Sequence, residues 1–341
     1  MATNTRINTL PETFRPFGKT LEDAGIPIEY GPSVIPAPSS LSETAKAAWS
    51  QLPSVPMSSD NPARLNAARQ VFGALENIEY QELQHRYSFE DETINGVTVM
   101  WVTPPELEHE EKLMVFIHGG GYVLNTRKTQ LALQASVASR LGVRVASVEY
   151  PLAPENPYPA ALNAVVDAYQ GLLDRYNPSN IGMFGSSAGG GITLAALLRL
   201  KSDGVSLPAA SAPLSPAADM TLSGDFVELV GNTDPILQHD DLVEALASYV
   251  GNADPSNPFI SPVFGDYTDV TPLFLLAGTH EMIASDAIRT AAHARRAGCE
   301  VTLIVLDGMW HVPIAADGSG VPELQHAFDE LTSFFRRHLH I

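Results

Sequence analysis

The chain has 341 residues, of which 45% are hydrophobic and 17% charged, so it can bury a sizeable core as one α/β domain with an insertion or as two smaller domains. Its 39 acidic and 20 basic residues give a formal net charge of −19, which argues against nucleic acid or an anionic membrane surface as a partner. With a single cysteine, Cys299, no visible secretory signal and no long apolar run, we expect a cytoplasmic protein without stable membrane association.

The first part of the chain, residues 1–83, is punctuated by proline and shows no strand pattern. Short helices are predicted at Leu41–Gln51 and Asn61–Leu75, the second with Pro62 in its first turn, where proline is tolerated. Without strands this region cannot form a core of its own. We therefore expect residues 1–83 to pack over the rest of the chain as a cap.

From residue 84 onward, strands and helices alternate, which predicts a mostly parallel sheet with helices on both faces. The predicted strands are Arg86–Glu90, Val97–Val102, Leu113–Ile117, Val143–Val148, Asn180–Phe184, Ala209–Leu214, Leu273–Ala277 and Val301–Leu306. The predicted helices are Thr129–Arg140, Ala160–Arg175, Ile192–Leu200, Ser285–Ala297 and Pro322–His338. Residues 217–262 break the alternation with helical patches at Phe226–Val230 and Leu242–Val250, and we interpret them as an insertion at the carboxyl edge of the sheet.

A G-x-S-x-G motif stands between a predicted strand and a predicted helix, with Gly185, Ser187 and Gly189 at its fixed positions. A nucleophile elbow requires this strand–turn–helix context, because the glycines allow the strand and the helix to approach closely. A Gly/Ser-rich turn with no catalytic role would show the same residue pattern. The motif therefore supports a catalytic serine only together with partner residues elsewhere in the chain.

A serine nucleophile needs a base and an acid that orients the base. His311 follows the last predicted strand, at the sheet edge where functional groups gather. His280 would break the order serine, acid, histidine that is expected on this type of sheet. Glu281 follows the preceding strand and is the favoured acid, while Asp286 is the alternative, with helix capping as its simpler role.

Backbone donors for an oxyanion are predicted where a buried strand ends in His118-Gly119-Gly120-Gly121. Gly119 and Gly120 lack side chains, so their N–H groups can face a bound carbonyl, and the N–H of Ala188 would be the third donor. We expect His118 to fix the glycine loop by hydrogen bonds, with Gly121, Gly185 and Gly189 as supporting residues of the two motifs.

Taken together, these motifs resemble the hormone-sensitive-lipase-like family of α/β-hydrolases. The residues that carry the resemblance are His118–Gly121, Tyr150–Glu155, Pro159–Ala161, Gly185–Gly190, Gly278–Glu281 and His311. The resemblance implies an α/β-hydrolase fold with a catalytic domain in two parts, residues 84–216 and 263–341, and a cap made of residues 1–83 and 217–262. It also implies Ser187 as nucleophile, His311 as base and Glu281 as acid, with no metal and no organic cofactor.

This chain departs from the usual family pattern at three positions. Ser186 stands where the family usually has aspartate, Glu281 where the acid is commonly aspartate, and Pro151 where arginine is usual. A glutamate can serve as the acid if its backbone lies about one methylene further back. The departures indicate a subgroup of the family rather than a lost activity.

The sequence therefore predicts a serine carboxylic ester hydrolase that works through an acyl-enzyme intermediate. The apolar side chains of the insertion favour short to medium acyl groups; they are Met220, Leu222, Phe226, Leu229, Ile236 and Leu237. The predicted substrate pocket includes Tyr122, Ser186, Phe226 and Trp310. The alternatives are a lactone hydrolase with the same triad and a non-catalytic small-molecule binding protein, and the family resemblance also allows a homodimer through the edge of the last strand.

Overall fold

The structure is a computed structural model that describes residues 35–52, 57, 59–314 and 320–341. Residues 1–34, which the sequence assigns to the cap, lie outside the described residues. The described strands are β1 (Ser88–Ile94), β2 (Val97–Thr103), β3 (Leu113–Ile117), β4 (Arg144–Val148), β5 (Ile181–Ser186), β6 (Ala210–Leu214), β7 (Leu273–Gly278) and β8 (Val301–Leu306). They form one sheet in the order β1-β2-β4-β3-β5-β6-β7-β8.

The described helices fill the connections between these strands. They are α1 (Glu43–Trp49), α2 (Pro62–Leu83), α3 (Leu131–Leu141), α4 (Ala160–Leu172), α5 (Ala188–Ser202), α6 (Asp225–Val230), α7 (His239–Val250), α8 (Ala284–Arg296) and α9 (Pro322–Leu339). Short 3₁₀ turns lie at Pro178–Asn180 and Pro262–Phe264. The alternation predicts this arrangement from β3 onward, and the fold class is α/β.

The sheet is antiparallel at one end and parallel in the rest. β1 pairs antiparallel with β2, and β2 pairs antiparallel with β4, whereas the pairs from β4 through β3, β5, β6 and β7 to β8 are parallel. The central strands β3, β5, β6 and β7 are buried throughout, as continuous apolar runs covered on both faces should be. Since parallel strands share one carboxyl edge, the loops that follow β3, β5, β7 and β8 meet there.

Two apolar layers cover the two faces of the sheet. On one face, α4 and α5 bury side chains such as Leu162 and Ile192 against β3 and β5. On the other face, α3 and α9 bury side chains such as Leu131 and Phe335. Strand β8 lies at the edge of the sheet, where Val305 keeps 40% of its surface exposed.

Helix α2 continues to Leu83, well beyond the predicted end at Leu75. Hydrogen bonds to residues outside the helix hold its second half, and no periodic pattern in the sequence reveals them. Glu76 accepts hydrogen bonds from the N–H and the hydroxyl of Thr126 at 2.9 and 2.7 Å. Glu79 accepts hydrogen bonds from the first two amides of α3, where negative charge is favourable. The N-terminal segment is therefore attached to the loop that follows β3.

Helix α5 begins at Ala188, earlier than the predicted start at Ile192. The sequence 189–191 is three glycines, which usually disfavour a helix. Close packing explains them here, because a Cβ on Gly189 would lie 2.1 Å from the carbonyl oxygen of Ile117. A requirement of tertiary structure thus overrides the local propensity.

Candidate active site

Ser187 occupies the tight turn between β5 and α5. Its backbone has φ 54° and ψ −120°, a conformation that residues with a side chain rarely adopt. The Ser187 N–H donates to the carbonyl of Leu214 at 2.9 Å, and its own carbonyl accepts from the N–H groups of Gly191 and Ala217 at 3.0 Å each. The neighbouring strand, the helix and the loop after β6 hold the strained turn, which presents the serine hydroxyl at the carboxyl edge of the sheet.

Three side chains from three different loops form a chain of hydrogen bonds at this edge. The Ser187 Oγ lies 2.8 Å from His311 Nε2, and His311 Nδ1 lies 3.0 Å from Glu281 Oε2. His311 is 6% exposed and Glu281 is fully buried. The structure therefore brings together the three residues that the sequence predicts as nucleophile, base and acid, although they lie as far as 124 positions apart in the chain.

The carboxylate of Glu281 is only partly satisfied by hydrogen bonds. Glu281 Oε2 also accepts the N–H of Val312 at 3.3 Å, while Oε1 is buried and has no hydrogen-bond partner among the described residues. A buried carboxylate that is only partly satisfied gains most from a cationic neighbour. Protonation of His311 during a reaction would supply this neighbour.

The two alternatives from the sequence lie elsewhere. Asp286 is buried, and its Oδ2 accepts the N–H groups of Ala218 and Asp219 at 2.7 and 2.9 Å, so it fixes the loop after β6. His280 packs edge-on against Trp49, with ring centroids 5.5 Å apart. Neither residue takes part in the chain of hydrogen bonds from Ser187.

Side chains hold two successive peptide groups of the glycine loop in one orientation. The Tyr150 hydroxyl donates to the His118 carbonyl at 2.8 Å, and its ring stacks on the His118 ring at 4.0 Å. The Gly119 carbonyl lies 2.9 Å from His118 Nδ1 and accepts from Asn125 Nδ2 at 3.3 Å. Because a trans peptide points its C=O and N–H in opposite directions, fixing these carbonyls also fixes the N–H groups of Gly119 and Gly120.

Burial lowers the pKa of His118 and keeps its ring neutral. A neutral ring that donates from Nδ1 to the Gly119 carbonyl leaves Nε2 as an acceptor, and Nε2 is buried without a partner in the described part of the chain. Among the hydrogen bonds between described residues, none uses the N–H of Gly119, Gly120 or Ala188. These groups are therefore available to a bound oxyanion.

A cavity of about 300 Å³ opens beside Ser187. Its lining includes two predicted pocket residues, Ser186 and Trp310, but neither Tyr122 nor Phe226. Tyr122 is buried and donates its hydroxyl to the Ala217 carbonyl at 2.9 Å. Phe226 packs against the small residues of α8 instead. Residue type and position in the sequence suggested both residues for the pocket, but they do not indicate the direction in which each side chain points.

Comparison with known proteins identifies the family of this chain. A sequence model of the "alpha/beta hydrolase fold" matches residues 114–315, more than half of the chain. The chain belongs to the α/β-hydrolase family. An acetyl-hydrolase of Streptomyces hygroscopicus is 31% identical over 69% of this chain and 80% of its own length.

Two solved structures of other proteins are similar to this α/β-hydrolase over most of its chain. The esterase E25 has a TM-score of 0.80 and 32% identity, covering 92% of this chain and 99% of its own. An esterase from the bacterial hormone-sensitive lipase family has a TM-score of 0.75 and 31% identity over 81% of this chain and 92% of its own. The resemblance to the hormone-sensitive-lipase-like group is confirmed.

Sequence reasoning missed Asp234, which it treats as part of a loop. Asp234 is 1% exposed, and its Oδ1 accepts the N–H groups of Ile236 and Leu237 at 2.9 Å each. Its Oδ2 accepts the N–H of Met282, the residue after Glu281, at 2.8 Å. The Asp-Pro pair at 234–235 signals a local turn, but no sequence signal reveals the bond to Met282.

Gln130 and Asn125 were also missed. Both line the cavity of this α/β-hydrolase and have a positive φ, 55° and 76° respectively. Asparagine tolerates this conformation, so Asn125 beside the glycine loop carried a weak signal. Gln130 lies in a segment that the sequence predicts as helical, and its role depends on a contact with Ser186.

Within the described ranges, no group of three or more histidine, cysteine, aspartate or glutamate side chains is placed to hold a metal ion. Over the same ranges, no helix is long and apolar enough to cross a membrane.

Proposed function

We propose that this α/β-hydrolase is a serine carboxylic ester hydrolase in which Ser187 is the nucleophile, His311 the base and Glu281 the acid. The observation that carries the proposal is the continuous chain of hydrogen bonds from Ser187 Oγ through the His311 ring to Glu281 Oε2, at 2.8 and 3.0 Å, beside a cavity. A nucleophile hydrogen-bonded to an oriented base is the arrangement that activates a serine hydroxyl. The names of relatives, an acetyl-hydrolase and esterases, support the same reaction.

In the first half of the proposed reaction, Ser187 Oγ attacks the ester carbonyl carbon while His311 Nε2 takes the hydroxyl proton. The tetrahedral oxyanion accepts hydrogen bonds from the N–H groups of Gly119, Gly120 and Ala188. Each such donor is worth roughly 3–4 kcal/mol of the barrier. His311 then gives its proton to the alcohol oxygen, and the carbon–oxygen bond to the alcohol breaks.

In the second half, a water molecule attacks the acyl-enzyme carbonyl while His311 again acts as base. The same donors hold the second oxyanion, and the return of the proton to Ser187 releases the carboxylic acid. Glu281 keeps the proton of neutral His311 on Nδ1, so that Nε2 faces the serine as an acceptor, and it stabilises the imidazolium that forms twice in each cycle.

We further propose that residues 1–83 and 217–262 cap the site and limit the substrate to short and medium acyl groups. Met57 and Phe72 from the first segment and Ile236 and Leu237 from the second line the cavity. At about 300 Å³, the cavity is at the small end of ligand sites. A long acyl chain would have to extend beyond it.

Hydrolysis of p-nitrophenyl esters from acetate to palmitate tests the proposal. We expect a maximum between butyrate and octanoate, and no turnover above background after Ser187→Ala. Ser206→Ala is the matched control, because this serine is exposed in a surface loop, and it should keep the wild-type profile. Absence of turnover on the whole series by the folded wild-type protein would contradict the proposal.

A further inference from the structure

The cavity beside Ser187 has two chemically different sides. Near His311 it is apolar, with Ile236, Leu237, Trp310 and Val312 in the lining. Near Ser186 it is polar and uncharged, with Asn125, Thr129 and Gln130 in the lining. A cavity for unsubstituted alkyl esters does not need the polar side.

On the polar side, a hydrogen bond holds two side chains together. Ser186, 2% exposed, donates its hydroxyl to Gln130 Oε1 at 2.6 Å. This bond occupies the side-chain carbonyl oxygen of Gln130. The NH₂ group of the same side chain is then left to donate to other partners. No hydrogen bond of Gln130 Nε2 occurs among the described residues, so its N–H groups are available at the cavity wall.

Asn125 lines the same cavity. Its Nδ2 donates to the Gly119 carbonyl at 3.3 Å, which directs the amide against the glycine loop. Its Oδ1 is buried and has no hydrogen-bond partner within the described ranges. Leaving a buried acceptor unsatisfied costs free energy, which a donor on a bound substrate would recover.

The proposed reaction determines which part of the substrate meets this polar side. His311 Nε2 must reach the leaving oxygen, so the alcohol part lies on the His311 side of the cavity. The acyl part then extends the other way, past the glycine loop toward Ser186 and Gln130. Ser186 Oγ lies close to this loop, since a Cβ placed on Gly119 would be 3.1 Å from it.

We propose, on the basis of the ester hydrolysis proposed above, that the natural substrates are esters of short acyl groups that carry a neutral hydrogen-bonding substituent, a hydroxyl or an amide, near the carbonyl. The substituent donates to Asn125 Oδ1 and accepts from Gln130 Nε2. An anionic substituent is disfavoured, because the described residues of the cavity lining include no lysine or arginine. The apolar side takes the alcohol part.

The test compares kcat/KM for phenyl butyrate and for each enantiomer of phenyl 3-hydroxybutyrate, which differ by one hydroxyl. We expect the wild-type protein to prefer one hydroxy ester by about threefold to tenfold, the range for one or two net hydrogen bonds. Gln130→Met keeps the size of the side chain and removes its amide, so the preference should fall to about one. Ser186→Ala, which frees the Gln130 amide to turn, should also reduce it and serves as the second variant if the first does not fold.

Ile236→Val is the matched control, since it alters the apolar side of the same cavity and should leave the hydroxyl preference intact. A wild-type preference for the plain butyrate, or a hydroxyl preference that survives both Gln130→Met and Ser186→Ala, would overturn the proposal. If no ester is hydrolysed at all, the proposed ester hydrolysis fails and this inference falls with it. A measurable rate with the wrong preference removes only the inference about the substrate.

Discussion

Asp234 accepts a hydrogen bond from the N–H of Met282 at 2.8 Å, and Met282 directly follows Glu281 in the chain. The same carboxylate holds the N–H groups of Ile236 and Leu237, two residues of the cavity wall. One buried side chain thus connects a segment that lines the cavity with the loop that carries the proposed acid.

We expect Asp234→Asn to change the pH dependence of stability. Burial raises the pKa of Asp234 from 3.8 to about 6 in the folded protein. A raised folded-state pKa contributes stability that is present below the unfolded pKa, near 4, and lost as the pH rises through about 6. The unfolding free energy of the wild type relative to Asp234→Asn should therefore fall by up to about 3 kcal/mol between pH 4 and pH 7.

Urea denaturation of both proteins across this pH range measures the effect. Asp240→Asn is the matched control, because the Asp240 side chain on the same insertion is 97% exposed. That variant should show a constant difference from wild type. A constant difference for Asp234→Asn as well would contradict the proposed effect of burial.

Tyr150→Phe should impair catalysis more than binding. The change removes the hydroxyl that fixes the His118 carbonyl and leaves the ring stack in place. The donors of the glycine loop would then be less well aimed, so we expect kcat to fall about tenfold with little change in KM, less than the loss of an oxyanion donor itself costs. Steady-state kinetics on p-nitrophenyl butyrate measures the two constants separately.

Tyr169→Phe is the control for this effect. Its hydroxyl donates to the Ser206 carbonyl at 2.9 Å, a bond of the same kind outside the glycine loop. Both variants should be less stable than the wild type, but kcat should fall only in Tyr150→Phe. Equal losses of kcat would show that the Tyr150 hydroxyl has no special part in aiming the loop.

Two glycine substitutions should have opposite effects on stability. Gly189→Ala places a Cβ 2.1 Å from the Ile117 carbonyl oxygen, and we expect a loss of about 3 kcal/mol or more. Gly73→Ala adds a methyl group, in the interior of α2, where no atom beyond the adjacent residues and the helix backbone lies within 4 Å, and should gain about 0.5–1 kcal/mol. Urea denaturation gives both values, and a neutral Gly189→Ala would contradict the close packing of β3 against α5.

Glu281→Gln should reduce kcat by about a thousandfold or more, because an amide can stabilise the wrong tautomer of His311 and cannot balance its charge. Glu300→Gln, at an exposed glutamate just before β8, is the control and should keep the wild-type rate. Stopped assays on p-nitrophenyl butyrate measure both variants. Retention of a tenth of the wild-type kcat after Glu281→Gln would contradict its role as the acid.

The predictable part of this molecule is the part that local patterns encode. The strands β3 to β8 and the sites of Ser187, His311 and Glu281 follow from apolar runs and from the loops after them. The predicted start of α5 at Ile192 was wrong. Helix propensity disfavours the glycines before it, whereas close packing against β3 explains them.

The rest depends on contacts between distant segments. The extension of α2 needs partners near residue 126, and the positions of Tyr122 and Phe226 outside the cavity lining depend on how their loops pack. Asp234 and Gln130 act through single hydrogen bonds to residues far away in sequence. No period or motif within either segment identifies those partners.

Labelling with diisopropyl fluorophosphate, followed by peptide mass spectrometry, tests the central claim most directly, because this reagent phosphorylates activated serines. We predict one label per chain, on Ser187, in the wild type and in the neighbouring control variant Ser186→Ala, and no label in Ser187→Ala. A label on another serine, or an unlabelled but folded wild-type protein, would contradict the assignment of Ser187 as the activated nucleophile.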